Sequence, residues 1–242
     1  GSGIMFQFSK IDKIVRMKLR RYEQAADAMK SIRKVYDAII KRHRLTKNEA
    51  DMKMGHISYT TEFEGFKNCD LVLEAIVESK EAKQELYAQL EDTVDEKAII
   101  ASNTSSLSIT MLSEKMKNPE RFVGMHFFNP VPRMPLVEII PGKKSSPKTI
   151  ATVVNLAKEA GKTPIVVGDC AGFLVNRILL PYFNAAARMF EAGADFERID
   201  RLRVDFGMPM GPFVLADEVG LDVGYKVAKV LEDAYGERMK VS

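Results

Sequence analysis

His126 and Glu138 stand twelve residues apart in the run Gly-Met-His-Phe-Phe-Asn-Pro-Val-Pro-Arg-Met-Pro-Leu-Val-Glu. The run reads as a buried strand ending in His, a proline-rich turn, and a second apolar strand that delivers a carboxylate. Holding an imidazole against an anion is how a general base is built. Of the three histidines in the chain, only this one is flanked by such a turn. His43 and His56 sit near no cysteine or paired carboxylates, so a metal site is not expected.

Other polar residues sit where strands should end. Asn103-Thr104-Ser105-Ser106 follows the apolar run Ala98 to Ser102. In open α/β sheets the carboxyl ends of the strands line the ligand crevice. Hydroxyls and an amide there can bond a sugar, a substrate carbonyl or simply the backbone of a turn. Glu78, just past the previous strand and five residues before Lys83, is open to the same two readings. Asn176 lies in an otherwise apolar helix start, Gly172 to Leu179. An amide buried there without a partner costs a few kcal/mol, so a neighbour or a ligand must satisfy it.

The elements that position these groups follow from periodicity. Short strands are expected at Ile57 to Thr60, Leu71 to Ile76, Ala98 to Ser102, Phe122 to Phe128, Leu136 to Ile140 and Thr163 to Val167. Helices are expected at Glu81 to Leu90, Ile109 to Met116 and Ser146 to Ala160. Strands alternating with amphipathic helices imply a largely parallel sheet covered on both faces. Beyond Gly168-Asp169-Cys170-Ala171-Gly172 no strand is convincing, and helices are expected at Phe173 to Ala192, Phe196 to Asp205 and Phe213 to Ala234. All ten prolines lie beyond residue 118, leaving the first part free to form long regular elements.

Composition narrows the classes. At 242 residues, with 46% hydrophobic and 29% charged residues, the chain has room for a packed core. No apolar run approaches the length of a membrane span, and no signal peptide or anchor is expected. Cys69 and Cys170 are far apart without metal-type spacing, which favours reduced thiols in a cytosol-like compartment. Residues 10 to 47 carry thirteen Lys or Arg against four Asp or Glu. Such a stretch can mark nucleic-acid binding, but Tyr22, Ala26, Met29, Ile32, Tyr36 and Ile39 fall at helical spacing. The solvated face of an amphipathic helix is the preferred reading, and no nucleic-acid partner is expected.

Several of these runs together resemble the 3-hydroxyacyl-CoA dehydrogenase family, in particular the dehydrogenase part of multifunctional fatty-acid β-oxidation proteins. They are Val72 to Glu78, Ala101 to Ser106, His126 to Pro130, Asp169 to Arg177 and Gly207 to Phe213. The resemblance implies a doubly wound, mostly parallel Rossmann-like domain binding NAD over residues 1–168. A helical dimerisation domain, expected to be incomplete, would follow over 169–242, with the site between the two. It implies His126 as the base that takes the 3-hydroxyl proton, and Glu138 as the group orienting it. Ser105 and Asn176 would bond the substrate oxygen. Glu78, Lys83, Ser105 and Asn129 would border the cofactor, with Gly1, Gly3 and Met5 as what remains of a dinucleotide fingerprint. The substrate class implied is L-3-hydroxyacyl-CoA, in the cytoplasm, or in a peroxisome or mitochondrial matrix in a eukaryote. A homodimer, or a place in a larger multifunctional polypeptide, is implied as well. The alternatives are a 3-hydroxybutyryl-CoA dehydrogenase, or a silent fragment that binds acyl-CoA or dimerises without turnover.

The amino terminus departs from the family pattern. Gly-x-Gly-x-x-Gly should follow a strand and open a helix, yet Gly1-Ser2-Gly3 opens the sequence and Phe6 stands at the third glycine. The acid expected about twenty residues on is also missing. Were Ile14 to Leu19 the second strand, it would end in Arg20 and Arg21, a basic end suited to a 2′-phosphate. The preferred expectation is that this segment is altered, poorly represented or folded as helix, and that cofactor affinity is impaired. The basic stretch, through Lys30, Arg33 and Lys34, is a candidate for holding the phosphates of CoA.

Overall fold

The computed structural model describes residues 1–241. The chain divides into two compact units. One comprises residues 1–104 and 109–166, the other residues 105–108 and the chain from 167 onward. The short run 105–108 groups with the second unit, whereas its place in the sequence assigns it to the first domain.

The first unit runs α1 (Ser2–Lys10), β1 (Val15–Lys18), α2 (Glu23–Lys41), α3 (Lys47–Gly55), β2 (Ile57–Thr60), β3 (Leu71–Glu74) and α4 (Lys80–Thr93). It continues with β4 (Ile99–Ser102), α5 (Ile109–Leu112), β5 (Phe122–Phe127), β6 (Leu136–Pro141), α6 (Pro147–Glu159) and β7 (Thr163–Val166). Five strands form one sheet in the order β3-β4-β5-β6-β7, and β1 pairs with β2 in a second, parallel, two-stranded sheet. All pairings in the larger sheet are parallel except β5 with β6. That exception follows from the chain length between them. Residues 128–135 are too few for a crossover, so β6 must return antiparallel.

One face of the larger sheet packs on α1 and α6. Val123, Met125, Phe127, Val137 and Ile139 share a core with Ile4, Phe8, Val153 and Ala157. Side chains alternate along a strand, so His126, Glu138, Ser102 and Glu74 all belong to the opposite face. There α4 lies against the sheet, with Tyr87 and Phe122 rings 4.8 Å apart.

The amino-terminal segment corrects one expectation. Residues 15–18 form a strand and not a helix, because Val15 and Met17 turn their side chains into the core while Lys18 faces water. Phe6 is accommodated away from the larger sheet. It is 2% exposed and packs edge-to-face on Tyr36 of α2, with ring centroids 4.9 Å apart. In α2 the buried stripe is Ala25, Ile32 and Tyr36, with Ala28, Met29, Val35, Ile39 and Ile40 beside it. Tyr22 and Ala26, assigned to that stripe by spacing, are exposed.

The second unit carries α7 (Val175–Glu191), α8 (Phe196–Phe206), α9 (Pro212–Val219) and α10 (Leu221–Tyr235). The single helix expected over 213–234 is broken in two at Gly220, whose φ of 93° takes the chain out of helical geometry. Its core gathers Leu180, Ala228, Leu231 and Met239. Among the described residues no helix is long and apolar enough to cross a membrane.

Candidate active site

His126 and Glu138 face each other in the β5–β6 ladder as direct cross-strand partners. Their side chains meet on one face, with Nδ1 of His126 2.8 Å from Oε2 of Glu138. The carboxylate is fully buried and the imidazole 6% exposed. A carboxylate so placed holds the proton on Nδ1 and leaves the lone pair on Nε2, the tautomer a base requires. The Phe128 ring lies 4.5 Å from the imidazole and limits its rotation. The turn behind the pair is tied down by Lys162, whose ammonium donates to the carbonyls of Val131 at 2.5 Å and Met134 at 2.8 Å. Burial pushes that ammonium's pKa down, and Lys10 adds to the effect.

The ends of β4 and β5 are also joined, since the Phe127 N–H donates to Oδ1 of Asn103 at 2.9 Å. Asn103 is thus a strand-end clamp beside His126. Asn129 lies exposed in the turn after β5, next to the cis peptide Asn129–Pro130.

A second polar cluster occupies the end of β3. Glu74 is 3% exposed and saturated with donors. It accepts from Lys83 at 2.7 Å, the Ile76 N–H at 2.6 Å, Tyr87 at 2.6 Å and Ser102 at 2.7 Å. Lys83 also reaches Glu78 at 3.3 Å, and Thr104 donates to Glu78 at 2.5 Å. Only Glu78 of this chain of groups reaches solvent appreciably, so it forms the cluster's outward end, with Lys83 buried behind it. Sequence reasoning singled out Glu78 and Lys83 but missed Glu74. The signal was available: a lone carboxylate inside the apolar strand Leu71–Glu74 must find donors nearby.

In the second unit, Asn176 Nδ2 donates to the Ser105 carbonyl at 3.0 Å, and Ser108 Oγ donates to Asp169 at 2.9 Å. The amide of Asn176 therefore has a protein partner, and residues 105–108 are stapled to the start of α7.

The opening of α1 fits an anion. Its first turn has no acidic residue and no side-chain cap, and such a helix end presents free amides and positive dipole to a phosphate. Gly3 is packed so closely against the turn after β5 that a Cβ would stand 3.0 Å from Cβ of Val131. Gly1 is open to solvent, whereas Met5 turns into the core with Met17 and Tyr36. The side chain of Met5 thus serves packing.

Helices against a mostly parallel sheet, a glycine-opened helix and a buried imidazole–carboxylate pair near the strand ends are the parts of a Rossmann-like dinucleotide fold. The chain belongs to the 3-hydroxyacyl-CoA dehydrogenase family. Residues 1–170 match its NAD binding domain and residues 172–242 its C-terminal domain. A fatty acid oxidation complex subunit alpha from Pseudomonas syringae pv. syringae is 45% identical over 240 residues, which are 99% of this chain and 33% of that protein. The chain thus spans about a third of the length of the curated relatives it matches. An (S)-3-hydroxybutyryl-CoA dehydrogenase structure from Ralstonia eutropha superposes with a TM-score of 0.94 at 37% identity, covering 99% of this chain and 85% of that one. A 3-hydroxybutyryl-CoA dehydrogenase from Escherichia coli gives 0.95 at 32% identity, covering 100% and 52%.

Proposed function

We propose that this chain oxidises the 3-hydroxyl of L-3-hydroxyacyl-CoA to a 3-oxo group, as the dehydrogenase part of a fatty-acid β-oxidation polypeptide. The observation that carries this reading is the His126–Glu138 pair, buried and in register on neighbouring strands. NAD, when bound, supplies the hydride acceptor. Nε2 of His126 takes the hydroxyl proton, and Glu138 stabilises the imidazolium that results while keeping the ring from turning. Gly1 and Gly3 hold the cofactor's phosphates at the first turn of α1. Glu78 and Asn129 border it from the ends of β3 and β5, with Lys83 setting Glu78 from behind. In the second unit, Ser105 and Asn176 donate to the 3-oxygen of the substrate, and Ser105 touches the cofactor as well. That last assignment rests on the family resemblance and requires Asn176 to exchange its bond to the Ser105 carbonyl.

The test is NADH oxidation driven by acetoacetyl-CoA. Turnover that His126→Gln abolishes is the expected result, and absent turnover with intact NADH binding would leave a silent member of the fold. A short-chain substrate is the second reading, favoured by the two hydroxybutyryl-CoA dehydrogenase structures. Comparing kcat/KM for C4 and C16 substrates separates the two. Self-association is proposed through the helices of the second unit. Phe206 and Leu221 there are 80% and 72% exposed, and would offer a second copy apolar side chains to cover. CoA phosphates are assigned to Lys30 and Lys34 but not to Arg33. Arg33 is already paired with Asp37 and Asp51, and those carboxylates raise its pKa.

A further inference from the structure

The end of β1 has the chemistry of a phosphate site where a carboxylate would ordinarily stand. α1 leads straight into β1 and packs on it through Met5 and Met17. Helix and strand therefore run antiparallel, and the first turn of α1 lies at the same end of this layer as the last residues of β1. In a dinucleotide fold that end receives the pyrophosphate and the adenosine ribose. An acid at the strand end bonds the 2′-hydroxyl and, by its charge, rejects a 2′-phosphate.

Here the strand ends in Lys18, followed by Leu19, Arg20 and Arg21. No Asp or Glu occurs from Lys13 to Tyr22. Asp12 lies before the other end of β1, paired with Lys53 at 2.7 Å. The turn after the strand is well held. The amides of Arg20 and Arg21 both donate to Oε1 of Gln24, at 3.1 and 3.2 Å. Both arginines are exposed, and among the described residues neither guanidinium has a hydrogen bond or ion pair. Arg33 and Lys53, by contrast, are engaged by carboxylates. Acids do occur on neighbouring elements: Glu23 opens α2, and Glu62 and Glu64 follow β2. All three are exposed, and Lys18 reaches over this second strand's end to the Thr61 carbonyl at 3.0 Å.

We propose that this strand end accepts a 2′-phosphate, with Leu19 removing the discriminating carboxylate and Arg20 and Arg21 binding the extra charge. The chain then takes NADP(H) at least as well as NAD(H). A guanidinium fork suits phosphate oxygens, and two uncommitted arginines bring donors that NAD itself has no group to use. The inference rests on the cofactor lying along α1 and β1, as proposed above.

Fluorescence titration of the chain with NADH and with NADPH at one ionic strength tests it. The expected result is a Kd for NADPH equal to or below that for NADH. Replacing both arginines, as Arg20→Ser with Arg21→Ser, should weaken NADPH by about tenfold or more, the loss of both guanidinium contacts, and leave NADH nearly unchanged. Leu19→Asp should reverse the preference. Adenosine 2′,5′-bisphosphate should protect against thermal unfolding better than ADP, a readout independent of turnover. NADH binding with NADPH more than about tenfold weaker would overturn this inference alone, as would an unchanged ratio in the arginine variant. If Glu62→Gln rather than Leu19→Asp alters the ratio, the discriminating position is on β2 and the inference also falls. Failure of both cofactors to bind would overturn the placement of the site itself.

Discussion

Glu74 and Glu138 are two buried carboxylates on the same face of the same sheet, and they are built for opposite purposes. Glu74 sits at the end of β3 with four donors around it, one of them a lysine whose side chain is 1% exposed. Glu138 sits within β6 against an imidazole one strand away. A carboxylate met by a lysine and two hydroxyls locks β3, β4 and α4 together. One met by a histidine at a single ring nitrogen fixes the direction in which that ring points. The first arrangement ties three elements together, the second orients one ring. Both rest on the parity of the strands, which puts Glu74 opposite Ser102 and His126 opposite Glu138.

The contrast breaks most plainly at the histidine. His126→Gln should lower kcat by about 10²- to 10⁴-fold while the melting temperature stays close to that of the parent. A steady-state assay beside a thermal scan checks both halves, and retained kcat would remove the imidazole from the mechanism. Glu138→Gln should follow, with kcat down about tenfold or more but less than for His126. An effect confined to stability would make Glu138 a second Glu74.

Glu74→Leu should behave the other way round. Taking one partner from a buried pair leaves Lys83 with Glu78 alone and should cost about 3 kcal/mol in a denaturant titration. The variant that remains folded should keep kcat within about threefold, since no reacting group has been touched. The smallest effect concerns Tyr87. Burial, reinforced by Glu74, pushes its phenol far above the ordinary range, so it stays neutral in the fold. Unfolded tyrosine ionises above about pH 10, so the stability linked to this phenol is complete below that pH and is lost as pH rises further. Tyr87→Phe should therefore lose about 1 kcal/mol at neutral pH and show a shallower alkaline decline. An equal decline in both proteins would assign the alkaline loss elsewhere.

Much of this was legible from one dimension. His126 and Glu138 were visible because two apolar runs joined by a proline-rich turn can only return on each other. The α/β alternation was visible because period and length distinguish strands of four to six residues from helices. Three features were not. The strand at Val15–Lys18 was hidden by its lysines and arginines, because a strand with one solvated face and only four residues carries little periodic signal. Glu74 was passed over inside the strand expected over Leu71 to Ile76, and although its isolation called for donors, only the fold shows that these are Lys83, Tyr87 and Ser102. The bend at Gly220 was hidden inside an apolar helical pattern, where one glycine is ordinarily tolerated.

The order of residues alone thus determined the family and, from Ile57 to Val167, the alternation of strands and helices. Which carboxylate receives the histidine and which receives the lysine was settled only in three dimensions. Strand register is decided by pairing between distant segments, and a shift of one residue would have turned every one of these side chains to the other face.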